Sequence, residues 1–282
     1  GGRFFRATDE HLERAVALKI LRERQTDSHQ GRVRLEREAR AAARLKHDHI
    51  VQIYDVSLQT GDTPHIVYEL IEGESLHERL RRVRYLSPLQ TARIAREVAL
   101  ALDAAHQVGL VHRDVKPSNI LLEAATGRAK VTDFGLARFD ENQTRVTMEG
   151  MIAGTPAYMS PEQCRGENQN IDLRSDVYSL GVMLYELLTG STPLGRDRIR
   201  SEAFVRVLEL IRETDAPRPS TRLSESGDAI TGISEQRQID PHKLRLILKR
   251  ELDWIAMKAL EKDRSRRYAG AGALADDVQR HL

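Results

Sequence analysis

The hydrophobic rhythm of the chain changes character at Gly73, and the change divides it in two. Residues 3–7 and 15–20 are strand-like, and the polar stretch Thr8-Asp9-Glu10-His11 between them predicts a hairpin. In the second strand Val16, Leu18 and Ile20 are expected on one face and Ala17 and Lys19 on the other, because side chains alternate along a strand. Residues 31–45, rich in Arg, Glu and Ala, predict a helix. Residues 50–57 and 65–71 predict two further strands, with Gly61-Asp62 as the turn between them. Beyond Gly73 the period becomes helical. Across residues 88–108, Ile94, Val98, Leu102 and Ala105 recur at helical spacing, and Gly109 stops the run. Residues 176–189 are apolar on most sides, which places that helix in the core, and Gly190 closes it. Residues 215–238 are polar and rich in Pro, Ser, Thr and Gly, and read as a long loop before helical spacing resumes at Pro241. A strand-rich part of about 70 residues thus precedes a larger helical part. The cleft between two such lobes is a common place for a ligand.

Composition narrows the function classes. A chain of 282 residues with 40% hydrophobic and 30% charged residues has a globular profile. A net charge of +2 is too balanced for a nucleic-acid coat or a strongly basic membrane binder, and no apolar run approaches the length of a membrane span. The single cysteine, Cys164, excludes an internal disulfide and a cysteine-cluster metal site, fits a reducing compartment, and receives no role. The 44 basic residues comprise 36 Arg and 8 Lys, so a position held by Lys calls for a specific reason. The chain opens Gly1-Gly2-Arg3 without a Met or a signal peptide and closes in helical spacing at Leu282, so further chain is expected on both sides.

The chemistry concentrates in His112-Arg113-Asp114-Val115-Lys116-Pro117-Ser118-Asn119. Pro117 blocks a continuing helix, so Asp114 and Asn119 sit on a loop. Fourteen residues after Asn119 comes Asp133-Phe134-Gly135, at the end of the strand-like Ala129-Lys130-Val131. A carboxylate and an amide on neighbouring turns suit Mg²⁺, which takes hard oxygen ligands and keeps positions for water and phosphate. Each element alone is bland, since Asp-Phe-Gly is usually a turn and a lone His usually a packed one. Their order and spacing together are specific.

On these residues the chain resembles the eukaryotic-type (Hanks-type) protein kinases, and closely the bacterial serine/threonine kinases of that class. The resemblance covers essentially the whole chain. It includes Val16-Ala17-Leu18-Lys19, the run from Gly154-Thr155-Pro156 to Ser160-Pro161-Glu162, Arg174-Ser175-Asp176 and the segment from Lys262-Asp263-Arg264 to Tyr268. It implies an α+β, two-lobed protein-kinase fold: a small β-rich lobe lacking its first strand (1–68), a hinge (69–72) and a larger, mainly helical lobe (73–282), with an activation segment over 133–162. It also implies a reaction, transfer of the γ-phosphate of Mg-ATP to Ser or Thr of a protein, with Mn²⁺ able to replace Mg²⁺ in the same oxygen set.

The roles implied are these. Lys19 holds the α- and β-phosphates and needs a helix carboxylate as partner. Glu36 and Glu38 both qualify by proximity, and the context Arg37-Glu38-Ala39 selects Glu38. Asp114 orients the acceptor hydroxyl and takes its proton, and Lys116, whose presence marks a Ser/Thr acceptor, neutralises the transferring phosphoryl. Asn119 and Asp133 are the metal ligands. Gly2, Phe4 and Ala17 cover the nucleotide from above, Leu121 floors the adenine pocket, Tyr68 guards its back, and Glu69, Leu70 and Ile71 offer backbone groups to adenine. Arg113 awaits a phosphorylated activation segment, Thr147 is the phosphorylation candidate, with Glu149 supplying part of the same charge, and Thr155 contacts Asp114 and Lys116. Glu162 pairs with Arg267, and Asp176 opens the buried helix.

Only the tail of the family's Gly-rich loop is present, which raises a rival reading, a pseudokinase-type scaffold that binds nucleotide weakly. A small-molecule phosphotransferase is a second rival, disfavoured by the peptide ledge that Gly154 to Glu162 resembles. The expected partners are protein substrates and, for activation in trans, a transient homodimer. The expected location is the cytoplasm, as a free kinase or as the cytoplasmic part of a membrane-anchored protein. The basic run Arg79-Leu80-Arg81-Arg82-Val83-Arg84 reads as a solvated surface.

Overall fold

The computed structural model describes residues 3–21, 29–58, 63–134, 156–225 and 248–282. Strands β1 (Arg3–Asp9) and β2 (Arg14–Ile20) form the expected hairpin, followed by α1 (His29–Ala43), β3 (Ile53–Ser57) and β4 (His65–Glu69). These strands make one antiparallel sheet in the order β1-β2-β4-β3. The edge strand β1 leaves Phe4 and Phe5 about half exposed, whereas β2 and β4 carry the buried Val16, Lys19, Ile66 and Tyr68. Alternation in β2 is incomplete: Lys19 is as buried as Val16, because its face looks into the cleft and not into solvent.

The second part contains β5 (Gly73–Ser75), α2 (Leu76–Val83), α3 (Pro88–Gln107), β6 (Ile120–Glu123) and β7 (Ala129–Val131), followed by α4 (Pro161–Cys164), α5 (Leu173–Thr189), α6 (Arg196–Ser201), α7 (Phe204–Glu213), α8 (Pro219–Glu225), α9 (Asp253–Ala259) and α10 (Ala271–His281). Strands β5, β6 and β7 form a second, small sheet. Helices α2 and α3 begin with reciprocal caps, Ser75 with Glu78 and Ser87 with Gln90, which satisfy backbone N–H groups that the first turn leaves open. Helix α5 is the centre of this part, with residues 175–189 all buried. Asp172 caps its start, and Gly190 ends it at φ 81°, a left-handed conformation that costs glycine nothing. Helix α9 lies against α5 at Gly181, where a Cβ would come within 2.7 Å of the Ala259 Cβ.

Several boundaries differ from the sequence reading, among them α1, expected over 31–45, and the start of α5, expected at 176. The strand predicted over 65–71 ends at Glu69. The strand predicted over 50–57 starts at Ile53, because Ile50 and Val51 pair instead with Val131 of the second sheet. The stretch 215–238 is not a continuous loop. Pro219 starts α8, Leu223 inserts into the core, and Asp253 accepts from the Ser220 backbone N–H at 2.9 Å and from the Ser220 hydroxyl. Residues 226–238 lie outside the described residues.

Candidate active site

Asp176, fully buried at the start of α5, organises the loop that follows α3. Its carboxylate accepts from the backbone N–H of His112 at 2.8 Å and of Arg113 at 2.7 Å, and lies 2.8 Å from His106 Nε2. Arg113 is thereby held at φ 69°, a backbone region that an arginine seldom occupies without outside support. His112 is buried, and its Nδ1 accepts from the Asp114 N–H at 3.2 Å. Its other nitrogen, Nε2, lies 2.9 Å from the Thr132 carbonyl and must therefore carry the proton. The Phe134 ring packs on His112 with centroids 4.8 Å apart, tying the Asp-Phe-Gly turn to the same loop.

This scaffold brings Asp114, Lys116 and Asn119 together. Lys116 Nζ is 2.6 Å from Asp114 Oδ2, and Asn119 Nδ2 donates to that oxygen at 3.0 Å and to the Asp114 carbonyl at 2.8 Å. Pro117 starts a single 3₁₀ turn over Pro117–Asn119 that places the amide. Among the described residues no hydrogen bond engages Asn119 Oδ1, so that oxygen remains as a donor to a cation. Asp133, at φ 66°, follows Thr132, whose backbone N–H donates to the Asn119 carbonyl at 3.0 Å.

Lys19 reaches from β2 to Asp133. Its Nζ lies 2.6 Å from Asp133 Oδ2, with both side chains largely buried. The other carboxylate oxygen, Oδ1, accepts from the Tyr68 hydroxyl at 3.1 Å. Burial and the adjacent Asp133 charge push the Tyr68 phenol well above its usual pKa, so it is the donor. Phe4 covers the pair, its ring 5.0 Å from Lys19 Nζ and 6.2 Å from the Tyr68 ring. The carboxylate on Lys19 is therefore Asp133 and not Glu38. Glu38 lies on α1 with Arg113 Nη1 3.9 Å away. The reason is geometric: Asp133 is delivered to Lys19 by the tethered turn, while Glu38 lies beside the guanidinium of Arg113, whose backbone N–H Asp176 holds.

Ala17, Ile71 and Leu121 are partly buried against the core. Glu69, at the end of β4, takes both carboxylate oxygens to Lys130 Nζ at 2.8 and 2.9 Å, which joins the first sheet to β7. Leu70 follows it, also partly buried. Gly2, Thr147, Glu149 and Thr155 lie outside the described residues.

Behind the site, Arg267 and Glu162 form a two-pronged pair at 2.7 and 2.9 Å, both residues buried. Arg267 also donates to the carbonyls of Glu261, Arg174 and Lys262, and the Ser175 hydroxyl donates to Glu162 at 2.6 Å. Burial by itself would raise the Glu162 carboxyl, but Arg267 and Ser175 outweigh it and hold the group below the ordinary carboxylate range. Gln163, next along, donates from Nε2 to the Arg113 carbonyl at 2.8 Å and so links α4 to the loop of Asp114. Burial pushes the Cys164 thiol up to about 12, so it is an inert core residue.

The sequence reading missed four contributors: the Tyr68 hydroxyl, His106 on Asp176, Gln163 on Arg113, and Lys130 on Glu69. Lys130 had a signal, the scarcity of lysine in an Arg-rich chain. The others had none, since each acts through a partner 50 or more residues away.

Comparison with known proteins agrees with this arrangement. A family model described as a protein kinase domain matches residues 1–281. The serine/threonine-protein kinase PknB of Mycobacterium leprae is 38% identical over 277 residues, and PknL of Mycobacterium tuberculosis is 39% identical over 275 residues. These alignments take in 97% and 98% of this chain but 40% and 61% of the relatives, so the chain spans only part of their length. The solved structure of Rad53 1-466 in complex with AMP-PNP shares the fold, with a TM-score of 0.66 at 22% identity over 98% of this chain and 61% of that one. A β-rich lobe with Lys19 facing a helical lobe with Asp114, Asn119 and Asp133 is thus the arrangement of a known fold, and the chain belongs to the protein kinase domain family.

Proposed function

We propose that the chain transfers the γ-phosphate of magnesium-bound ATP to Ser and Thr hydroxyls of proteins. The observation that carries this reading is the meeting of Lys19 with Asp133 across the cleft, beside the Asp114–Lys116–Asn119 cluster. Residues 1–68 would form the upper wall, 69–72 the hinge on which adenine rests, and 73–282 the lower wall. Asp133 and Asn119 offer two hard oxygen ligands, a set that fits Mg²⁺ or Mn²⁺ with water and phosphate completing the shell. A metal bound there would neutralise charge on the β- and γ-phosphates.

Each side chain has a task of its own. Lys19 leaves Asp133 for the phosphates, and Glu38 is the helix carboxylate able to receive it if Arg113 turns away. Asp114 Oδ2, now shared between Lys116 and Asn119, orients the acceptor hydroxyl and takes its proton. Lys116 then faces the phosphoryl group as its charge develops. Tyr68, Phe4 and Ala17 exclude water from the nucleotide end. Arg113 would exchange Glu38 for a phosphate on Thr147, a switch by countercharge.

The rival readings are a scaffold that binds nucleotide weakly and a small-molecule phosphotransferase. One experiment separates the readings. Wild-type protein is given γ-labelled ATP with Mg²⁺, a generic protein acceptor and, in parallel, a sugar. Label on Ser and Thr of the protein, with Thr147 labelled in the chain itself, is the expected result. No transfer supports the scaffold, and label on the sugar supports a small-molecule phosphotransferase. The reading places the chain in the cytoplasm, where ATP and reduced thiols occur. Among the described residues no helix is long and apolar enough to cross a membrane.

A further inference from the structure

We propose that the Tyr68 hydroxyl is a positioning group for the metal ligand Asp133: by holding Oδ1, it leaves Oδ2 as the oxygen that passes from Lys19 to a divalent cation. This rests on the proposed function above and adds a residue to it.

Tyr68 is 2% exposed, in the middle of β4, with Ala17 of β2 on one side and Ile53 of β3 on the other. A phenylalanine or leucine would fill that place equally well, so packing alone does not call for a hydroxyl. A buried hydroxyl needs a partner, and this one finds Asp133 Oδ1 at 3.1 Å. Among the described residues two donors meet Asp133, and they differ in what they can do. Lys19 is a flexible point charge that phosphates can draw away. Tyr68 is a rigid ring fixed inside a sheet and cannot follow. When Lys19 leaves, Tyr68 is the donor that still sets the rotation of the carboxylate.

That rotation needs setting. Asp133 stands at φ 66°, a left-handed backbone that Asp adopts more readily than most residues, just before Phe134. A carboxylate that binds a metal through one oxygen is usually hydrogen-bonded at the other, and loss of such a partner typically weakens metal affinity roughly 10–100-fold. The pairing here has that form before any cation arrives.

The test is binding, not turnover. Affinity for a fluorescent ATP analogue is measured across a Mg²⁺ titration for wild type, Tyr68→Phe and Tyr68→Met. The expected result for Tyr68→Phe is a Mg²⁺ concentration at half effect raised about tenfold, at the low end of that range, beyond any change in metal-free affinity. Tyr68→Met, which fills the pocket without a donor, should show the same rise. A Mg²⁺ midpoint equal to wild type in either variant overturns the inference. So does a loss in Tyr68→Phe confined to metal-free affinity, which would make Tyr68 a wall of the adenine pocket only. If wild type itself shows no Mg²⁺ dependence, the proposed function falls as well, so the two failures are distinct.

Discussion

Replacing Asp114 with asparagine should lower phosphotransfer by about 10²–10⁴-fold while leaving the fold intact, the range lost when a positioned general base is removed. The geometry separates the two effects. Asn119 can still donate to an amide oxygen at this position, and the side chain is 38% exposed, so little packing is lost. What disappears is the charge beside Lys116 and the group able to take a proton from the acceptor hydroxyl. The measurement is a steady-state rate with labelled ATP beside a thermal melt of the same samples. A loss of rate without a shift in melting supports the assignment, and equal rates in the two proteins refute it.

Arg267→Ala should cost about 3–5 kcal/mol of stability, the range for breaking one partner out of a buried ion pair. Arg267 and Glu162 are both nearly inaccessible, and the guanidinium also donates to three backbone carbonyls. Removing it strands a buried carboxylate and those carbonyls at once. The loss should depend on pH in a definite direction. The folded-state pKa of Glu162 is depressed, so its contribution is present above the unfolded value and disappears as pH falls through the folded one. The gap between wild type and variant should therefore be largest near neutrality and narrow in acid. Chemical denaturation at pH 7 and at a pH well below the ordinary glutamate pKa of about 4.3 measures it. A gap that stays constant, or is below about 1 kcal/mol, would show that the pair contributes little.

Much of this was legible in the chain. The hairpin, the central helix and the two-lobed order follow from a hydrophobic period that switches from two to helical at Gly73, a local signal that packing did not override. The cluster of Asp114, Lys116 and Asn119 was legible because it is short-range, with Pro117 forcing a loop. What was not legible is mostly long-range. The Glu162–Arg267 pair spans 105 residues, and only the family resemblance announced it. The contact of Lys19 with Asp133 was not foreseen for a related reason: sequence names which carboxylates are available, but the fold decides which one is delivered. Asp133 arrives on a turn clamped by His112 and Tyr68, and Glu38 does not. Residues 219–225 were misread because their polar composition hides Ser220 and Leu223, one bonded to Asp253 and the other buried.

The central claim is that Lys19, Asp133 and Asn119 close on a magnesium-bound triphosphate. Thermal unfolding of wild type and Asp133→Asn with a non-hydrolysable ATP analogue, with and without Mg²⁺, tests it most directly. At ligand about 100-fold above Kd, wild type should gain about 2.7 kcal/mol when Mg²⁺ is present and clearly less without it. Asp133→Asn should show no difference between the two conditions. Nucleotide stabilisation of wild type that is absent, or equal with and without the metal, would contradict the account.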